Sequence, residues 1–295
     1  MHTVPEGYFE AFAVRGAARR TSRVWRFDRT TGESKLLGVG DAEVVKNIYT
    51  VFSDNGAPDT GIEDELLCGL EGAFCTAREA LLQRTPLSKE TWAGLARFIA
   101  AQLLRTPRFF QLMRDRLDAD NTAYEQDTLP RVMLILIERW IPRLVRMRGI
   151  LAYNDTALPL LTSDNPAVMS KKDSDGFICG VDQYDPSLVV SCPLSPTLMF
   201  VAYQTPESLK SVHAEQHDVP RADRKSGSFT SHIDIGSMPE WEVKRMNHLC
   251  LINAHRYVYA NYADKALLRF LQNRSVGFSA PVRRRDLQPI GSPVE

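Results

Sequence analysis

The sequence predicts an α+β fold, with a central helical bundle segment packed on a small mixed or antiparallel sheet. Three observations carry this. Residues 62–146 repeat apolar side chains at helical spacing, short β-like runs gather after Gly149, and an alternating stretch near the start reads as a strand ribbon. The two kinds of element are segregated along the chain, which argues against a doubly wound parallel sheet. Residues 1–275 read as a single α+β domain, and residues 276–295 as a mobile C-terminal tail.

Tyr8, Phe9 and Phe12 recur at helical spacing just after Pro5, so a short helical turn is expected to dock there on a core. Val24-Trp25-Arg26-Phe27-Asp28 alternates with period two, and Thr30-Thr31-Gly32-Glu33 supplies a turn before a second strand over 34–39. In 62–82, Leu67, Leu70, Phe74 and Leu81 mark one helical stripe. The next helix has Ser88 as N-cap, Glu90 in its dipole-favoured first turn, and the stripe Leu95, Phe98, Ile99 and Leu103; it ends or kinks near Thr106-Pro107. A third helix over 129–146 carries Val132, Met133, Leu136, Ile137, Trp140 and Leu144, with Pro130 suited to its first turn and Pro142 expected to bend its far end. Residues 158–161, 188–192 and 198–203 read as strands, while 171–176 and 221–228 read as exposed loops. A late helix from Pro239 presents Val243, Met246, Leu249, Cys250, Asn253 and Val258, and another segment over 263–272 is also helical.

An apolar fraction of 44% and a charged fraction of 24% are those of an ordinary soluble globular chain. Lys plus Arg and Asp plus Glu both number 36, a balance that speaks against a dedicated nucleic-acid coat protein. The five cysteines form no CxxC pair, and the seven-residue step from Cys68 to Cys75 is too long for a bridge within one helix. Free thiols, the lack of a basic and apolar leader, and no apolar run of the roughly 20 residues that cross a bilayer together predict a cytoplasmic protein without a membrane.

Four features are candidates for chemistry, each with a structural alternative. Gln102 falls on the apolar face of the second helix, Arg105 follows one turn later, and Glu71 sits beside Leu67, Leu70 and Phe74. Buried polar groups must pair or line a site, so Glu71 and Arg105 either tie two helices together or face a pocket. Thr162-Ser163-Asp164-Asn165-Pro166 interrupts an apolar run; it is either an Asx-type turn or a strand end aiming Asp164 and Asn165 into a cleft. His213 and His217 stand at i and i+4 without the HExxH pattern, so an exposed helix competes with a metal pair, and His232, His248 and His255 are no more specific. Arg131, Arg139, Arg143, Arg146 and Arg148 crowd the third helix and its exit, either as a phosphate-facing strip or as a solvated face. GxSxG, P-loop, GxGxxG and zinc-ribbon patterns do not occur.

Several of these residues lie in an ordered series of short motifs. His2-Thr3-Val4-Pro5 with Tyr8-Phe9-Glu10-Ala11-Phe12 comes first, then Val24 to Asp28, Asn47-Ile48-Tyr49-Thr50, Leu70-Glu71-Gly72, and Gln102-Leu103-Leu104-Arg105-Thr106-Pro107-Arg108. Thr162 to Pro166, Pro193-Leu194-Ser195-Pro196 and Arg245-Met246-Asn247-His248-Leu249 complete it. The series resembles an uncharacterised bacterial family of unknown function that starts on His-x-Val-Pro and carries a central Thr-Ser-Asp-Asn-Pro. The resemblance runs from His2 to about Tyr259 and implies a fold and a set of shared polar positions, not an activity. Those positions are His2, Glu71, Gln102, Arg105, Asp164, Asn165 and Asn247, gathered around one cleft.

The function expected from this set is that of a hydrolase acting on a phosphorylated or nucleic-acid substrate. His2 is its acid or base, Asp164 orients His2 or holds a divalent cation, and Arg105 with Arg108 stabilises phosphate charge beside Glu71. Gln102, Asn165 and Asn247 position the substrate, a nucleotide or nucleic acid. The competing expectation is a non-enzymatic binding or regulatory protein, of a bacterial defence or toxin-like system, in which the polar cluster locks helices to sheet. The two differ in whether the polar groups face a cleft or bond to one another in the interior.

Overall fold

The aromatic residues after Pro5 form a helical turn, α1 (Glu6–Phe9), continued by a 3₁₀ turn over Glu10–Phe12, in which Tyr8, Phe9 and Phe12 are fully buried. The computed structural model describes residues 3–14, 22–42, 49, 51–52, 58–59, 67–84, 87–125, 127–173, 176–179, 181, 184–204, 233–263 and 267. The alternating stretch is β1 (Arg23–Asp28), paired antiparallel with β2 (Ser34–Gly38). In the turn between them the Asp28 carboxylate accepts the Thr30 N–H at 2.8 Å, and Gly32 takes the positive φ of 74° that a side chain would resist. A small pair, β3 (Val51–Phe52) and β4 (Pro58–Asp59), follows.

The helical middle comprises α2 (Cys68–Leu82), α3 (Lys89–Leu104), α4 (Pro107–Ala119) and α5 (Thr128–Arg146). Ser88 caps α3 as expected, its hydroxyl accepting the Thr91 N–H at 3.2 Å. The α2 and α3 axes come close because Gly94 faces Ala73; a Cβ at Gly94 would lie 2.9 Å from that of Ala73. Phe74 and Phe98 stack across the seam at 4.1 Å, with Tyr8 closing over both rings.

After α5 come β5 (Arg148–Tyr153), β6 (Thr162–Ser163), β7 (Val168–Asp173), β8 (Gly176–Cys179), β9 (Val189–Ser195), β10 (Leu198–Tyr203), β11 (Ile233–Ser237), α6 (Glu240–Asn253) and β12 (Tyr257–Ala260). They build a six-stranded sheet in the order β11-β5-β10-β9-β7-β8 and a four-stranded sheet in the order β2-β1-β12-β6. Only β11 runs parallel to its neighbour among the described pairs of the six-stranded sheet, so that sheet is mixed. Its two faces are both covered. Leu151, Tyr153, Phe200 and Ala202 pack with the helical bundle, whereas Ile150, Ala152, Met199 and Val201 pack with Val243, Met246 and Leu249 of α6. The opposite side of α6, through Cys250 and Leu251, meets Phe27 and Val258 of the smaller sheet. The molecule is thus α+β, with α6 lying between two sheets.

Some boundaries depart from the sequence expectation. The chain does not stop at Thr106-Pro107; Thr106 caps a new helix, accepting the Phe109 N–H at 3.3 Å, and Pro107 occupies its first turn. Residues 158–161 are not a strand, since Asn154 Nδ2 binds the Leu158 and Pro196 carbonyls and gathers the chain into a loop. Residues 171–176, expected as a loop, fall mostly within the β7–β8 hairpin. Val258 belongs to β12 rather than to the late helix, which ends at Asn253. The helical segment over 263–272, the loop over 221–228, His213, His217, His232 and the tail lie wholly or largely outside the described residues.

Candidate functional site

The Asp164 side chain follows from the strand that ends just before it. β6 pairs with β12, which carries Asp164 to the turn leading out of α6. There its carboxylate accepts three backbone N–H groups, from His255 at 2.7 Å, Arg256 at 2.6 Å and Tyr257 at 2.8 Å. Asp164 is 1% exposed. Burial pushes its carboxyl up to about 6, while the Tyr257, Arg256 and His255 N–H groups and the Arg29 charge pull it down. Asn165 is also spent internally. Its Nδ2 donates to the Asn253 carbonyl at 3.0 Å, and Asn253 Nδ2 returns a bond to the Asn165 carbonyl at 2.9 Å. Arg108 donates to the same Asn253 carbonyl at 3.1 Å, and Arg29 donates to the neighbouring Ala254 carbonyl. Two guanidinium groups therefore complement the carbonyl end of α6.

Asn247 forms a similar clamp six residues earlier on α6. Its Oδ1 accepts the Leu161 N–H at 2.8 Å and its Nδ2 donates to the Pro159 carbonyl at 2.9 Å, which pins the segment leading into β6. Tyr8 binds the other side of that strand, with its hydroxyl 2.8 Å from Thr162 Oγ1 and donating to the Pro193 carbonyl at 2.5 Å. The starting motif, the central motif and Pro193 of the Pro-Leu-Ser-Pro stretch are thus joined at one phenol.

A second polar cluster lies on the α2–α3 seam. Arg105 caps the end of α3 and is 1% exposed; its Nη1 and Nη2 lie 3.4 and 3.5 Å from Glu71 Oε1 on α2. Tyr49 donates its hydroxyl to the Arg105 carbonyl at 2.6 Å, and its ring centroid is 5.7 Å from the guanidinium. Glu71 forms the rim, with 27% of its side chain exposed. One turn back on α3, Gln102 is fully buried, and neither atom of its amide has a hydrogen-bond partner. An unmet polar group of this kind costs roughly 1–3 kcal/mol, and a turn of helix can avoid that cost simply by carrying an apolar residue.

The structure thus divides the residues expected around a single cleft. Asp164, Asn165, Asn247 and Arg108 bond to backbone around α6 and β6, whereas Glu71, Gln102 and Arg105 gather at the far end of α3. The Asp164 carboxylate makes no bond to Arg105 and faces the 255–257 turn instead. His2 lies outside the described residues. Among the described residues no three His, Cys, Asp or Glu side chains gather where they could hold an ion. The sequence does not mark Asn253, Tyr49 or Arg29 as site residues. Asn253 carried the same signal as Gln102, a polar residue on an apolar helix stripe, while Arg29 in its turn carried none.

This is an α+β chain whose motif residues knit its two sheets and its helices together. The chain belongs to the family described as Protein of unknown function (DUF4238), which it matches over residues 1–264. Comparison with curated proteins and with solved structures gave no match. No helix among the described residues is long and apolar enough to cross a membrane.

Proposed function

We propose that the chain recognises a phosphate-bearing ligand, a nucleotide or a nucleic-acid end, at the α2–α3 seam. The unsatisfied amide of Gln102 carries this reading: it is a buried donor and acceptor one turn from a buried guanidinium, the pairing that holds phosphate oxygens and a neighbouring polar group. Glu71 holds Arg105 in place and provides the solvent-facing rim. The reaction we favour is hydrolysis of that ligand, with His2 as acid or base and Arg105 stabilising developing charge. Asp164 has no part in this version of the reaction, because three N–H groups occupy its carboxylate. The five free cysteines support a reducing, cytoplasmic setting.

Titration calorimetry with inorganic phosphate, a nucleoside monophosphate and a short oligonucleotide tests the reading. Arg105→Lys and Gln102→Leu should each weaken binding at least tenfold, while His2→Ala should keep binding and lose turnover. Unchanged affinity in both seam variants defeats the proposal. A second reading, a binding or regulatory protein of a bacterial defence or toxin-like system, is favoured by the internal bonding of Asp164, Asn165 and Asn247. Ligand binding without turnover in the wild type would select it.

A further inference from the structure

We infer that the C-terminal half of α5, with Tyr184 beside it, is a binding surface for single-stranded nucleic acid. Arg139, Arg143 and Arg146 stand at i, i+4 and i+7, on a single stripe of the helix. At 1.5 Å rise per residue their charges are spaced by roughly 5–6 Å along the axis, a ladder suited to successive phosphates of an extended strand. Arg139 and Arg146 are exposed, and Ile135, on the same stripe one turn earlier, is 55% exposed. Among the described residues no ion pair joins Arg139, Arg143 or Arg146 to a carboxylate. Glu138, the nearest acid in sequence, points about 100° around the helix from Arg139.

The aromatic partner separates a single strand from a duplex. Tyr184 is 69% exposed, and its ring lies 4.9 Å from the Arg143 guanidinium. The adjacent Asp185 carboxylate is neutralised by Lys171 at 2.8 Å, so the ring sits in a field set by the arginines. A large ring exposed to this degree beside a cation is a stacking platform for a base, and base stacking is indifferent to sequence. A paired base in a duplex cannot take that position. Arg143 and Arg146 also lie in the last turn of α5 and complement its carbonyl end.

This surface is separate from the α2–α3 seam. Trp92, near the start of α3, packs against Gly149 just beyond α5, where an added Cβ would lie 2.9 Å from its ring. Arg139 and Arg146 are exposed on α5, whereas the Arg105 guanidinium is buried and turned to Glu71 on α2. The inference therefore does not depend on the ligand proposed for that seam.

Fluorescence anisotropy with a labelled 15-nucleotide oligothymidylate tests it. The full chain should bind the oligonucleotide more tightly than a duplex of the same length. Affinity should fall with salt on a log–log slope of about −2, the value for three phosphates of a single strand. Arg139→Gln with Arg146→Gln should weaken binding at least tenfold and flatten that slope, and Tyr184→Ala should weaken it without changing the slope. Arg97→Gln, a loss of one exposed charge on α3, should bind as the wild type does. All the α5 and Tyr184 substitutions lie at the surface and should leave the circular dichroism spectrum unchanged. The inference fails if the double variant binds like the wild type, if Arg97→Gln loses as much as the double variant, or if phosphatidylserine vesicles are bound and the oligonucleotide is not.

Discussion

Asp164 and Tyr257 hold each other twice: the Asp164 carboxylate accepts the Tyr257 N–H at 2.8 Å, and the Asp164 N–H donates to the Tyr257 carbonyl at 3.0 Å. With the N–H groups of His255 and Arg256 on the same carboxylate, one side chain sets the passage from α6 to β12. Replacing Asp164 by Ala strands three N–H groups, and the expected loss is on the order of 3 kcal/mol. Asp164→Asn keeps one accepting oxygen and should lose less. Urea unfolding of the two variants measures the difference. Equal stability of Asp164→Ala and the wild type would remove the lock.

The buried Glu242 carboxyl near the start of α6, paired with the half-buried Arg245, makes stability depend on pH. Burial pushes the Glu242 carboxyl up to about 7 from an ordinary 4.5, while the Arg245 charge and hydrogen bond pull the other way. The folded chain thus holds this proton more tightly than the unfolded one. The stabilising contribution is complete below pH 4.5 and is lost as the pH rises through 7. The stability of the wild type relative to Glu242→Gln should therefore fall across that window. Thermal unfolding of both proteins from pH 4 to pH 8 shows it, and parallel curves would contradict the assignment.

Gln102→Leu should raise stability by about 1–2 kcal/mol, because it removes a buried amide without partners and keeps much of the volume. The same substitution should weaken the phosphate-bearing ligand. A gain in one measurement and a loss in the other is the mark of a residue retained for binding. A loss of stability on this substitution would mean that the amide has a structural task.

Tyr8→Phe deletes the hydroxyl that joins Thr162 to the Pro193 carbonyl while keeping the ring against the stacked pair Phe74 and Phe98. The expected cost is about 1–2 kcal/mol, since both partners stay buried. Tyr8→Ala should cost several times more through the cavity it leaves. Denaturant midpoints of the pair separate the hydrogen bonds from the packing.

What the sequence shows of this fold follows from local periodicity. The stripes of α2, α3 and α5 and the ribbon of β1 and β2 are legible because each buries one face with a fixed repeat. β10 is legible as a solid apolar run for the opposite reason, as both of its faces are covered. β7 and β8 are obscured by the lysines and acids of 171–175, which read as a loop. For the site, polarity on an apolar stripe picks out Gln102 and Asn253 alike, but it does not separate an amide that bonds to backbone from one that bonds to nothing. That distinction depends on what the chain brings opposite from 88 residues away in the case of Asn165 and Asn253. Asp164 is the clearest instance: a short polar motif is visible in sequence, and the three N–H groups that claim it are not.

β1 takes β12 as its partner, with Trp25 opposite Ala260 and Asp28 opposite Tyr257, and the Phe9 ring lies 4.5 Å from that of Tyr259. During synthesis the ribbon of β1 and β2 has to wait, with its inner edge open, until more than two hundred further residues have left the ribosome. The helices can assemble by local contacts in that interval, but the smaller sheet cannot. Vectorial production therefore imposes a timing on this molecule: its earliest strand is among the last to find its place, and a nascent chain halted before residue 257 would present that edge to any passing strand.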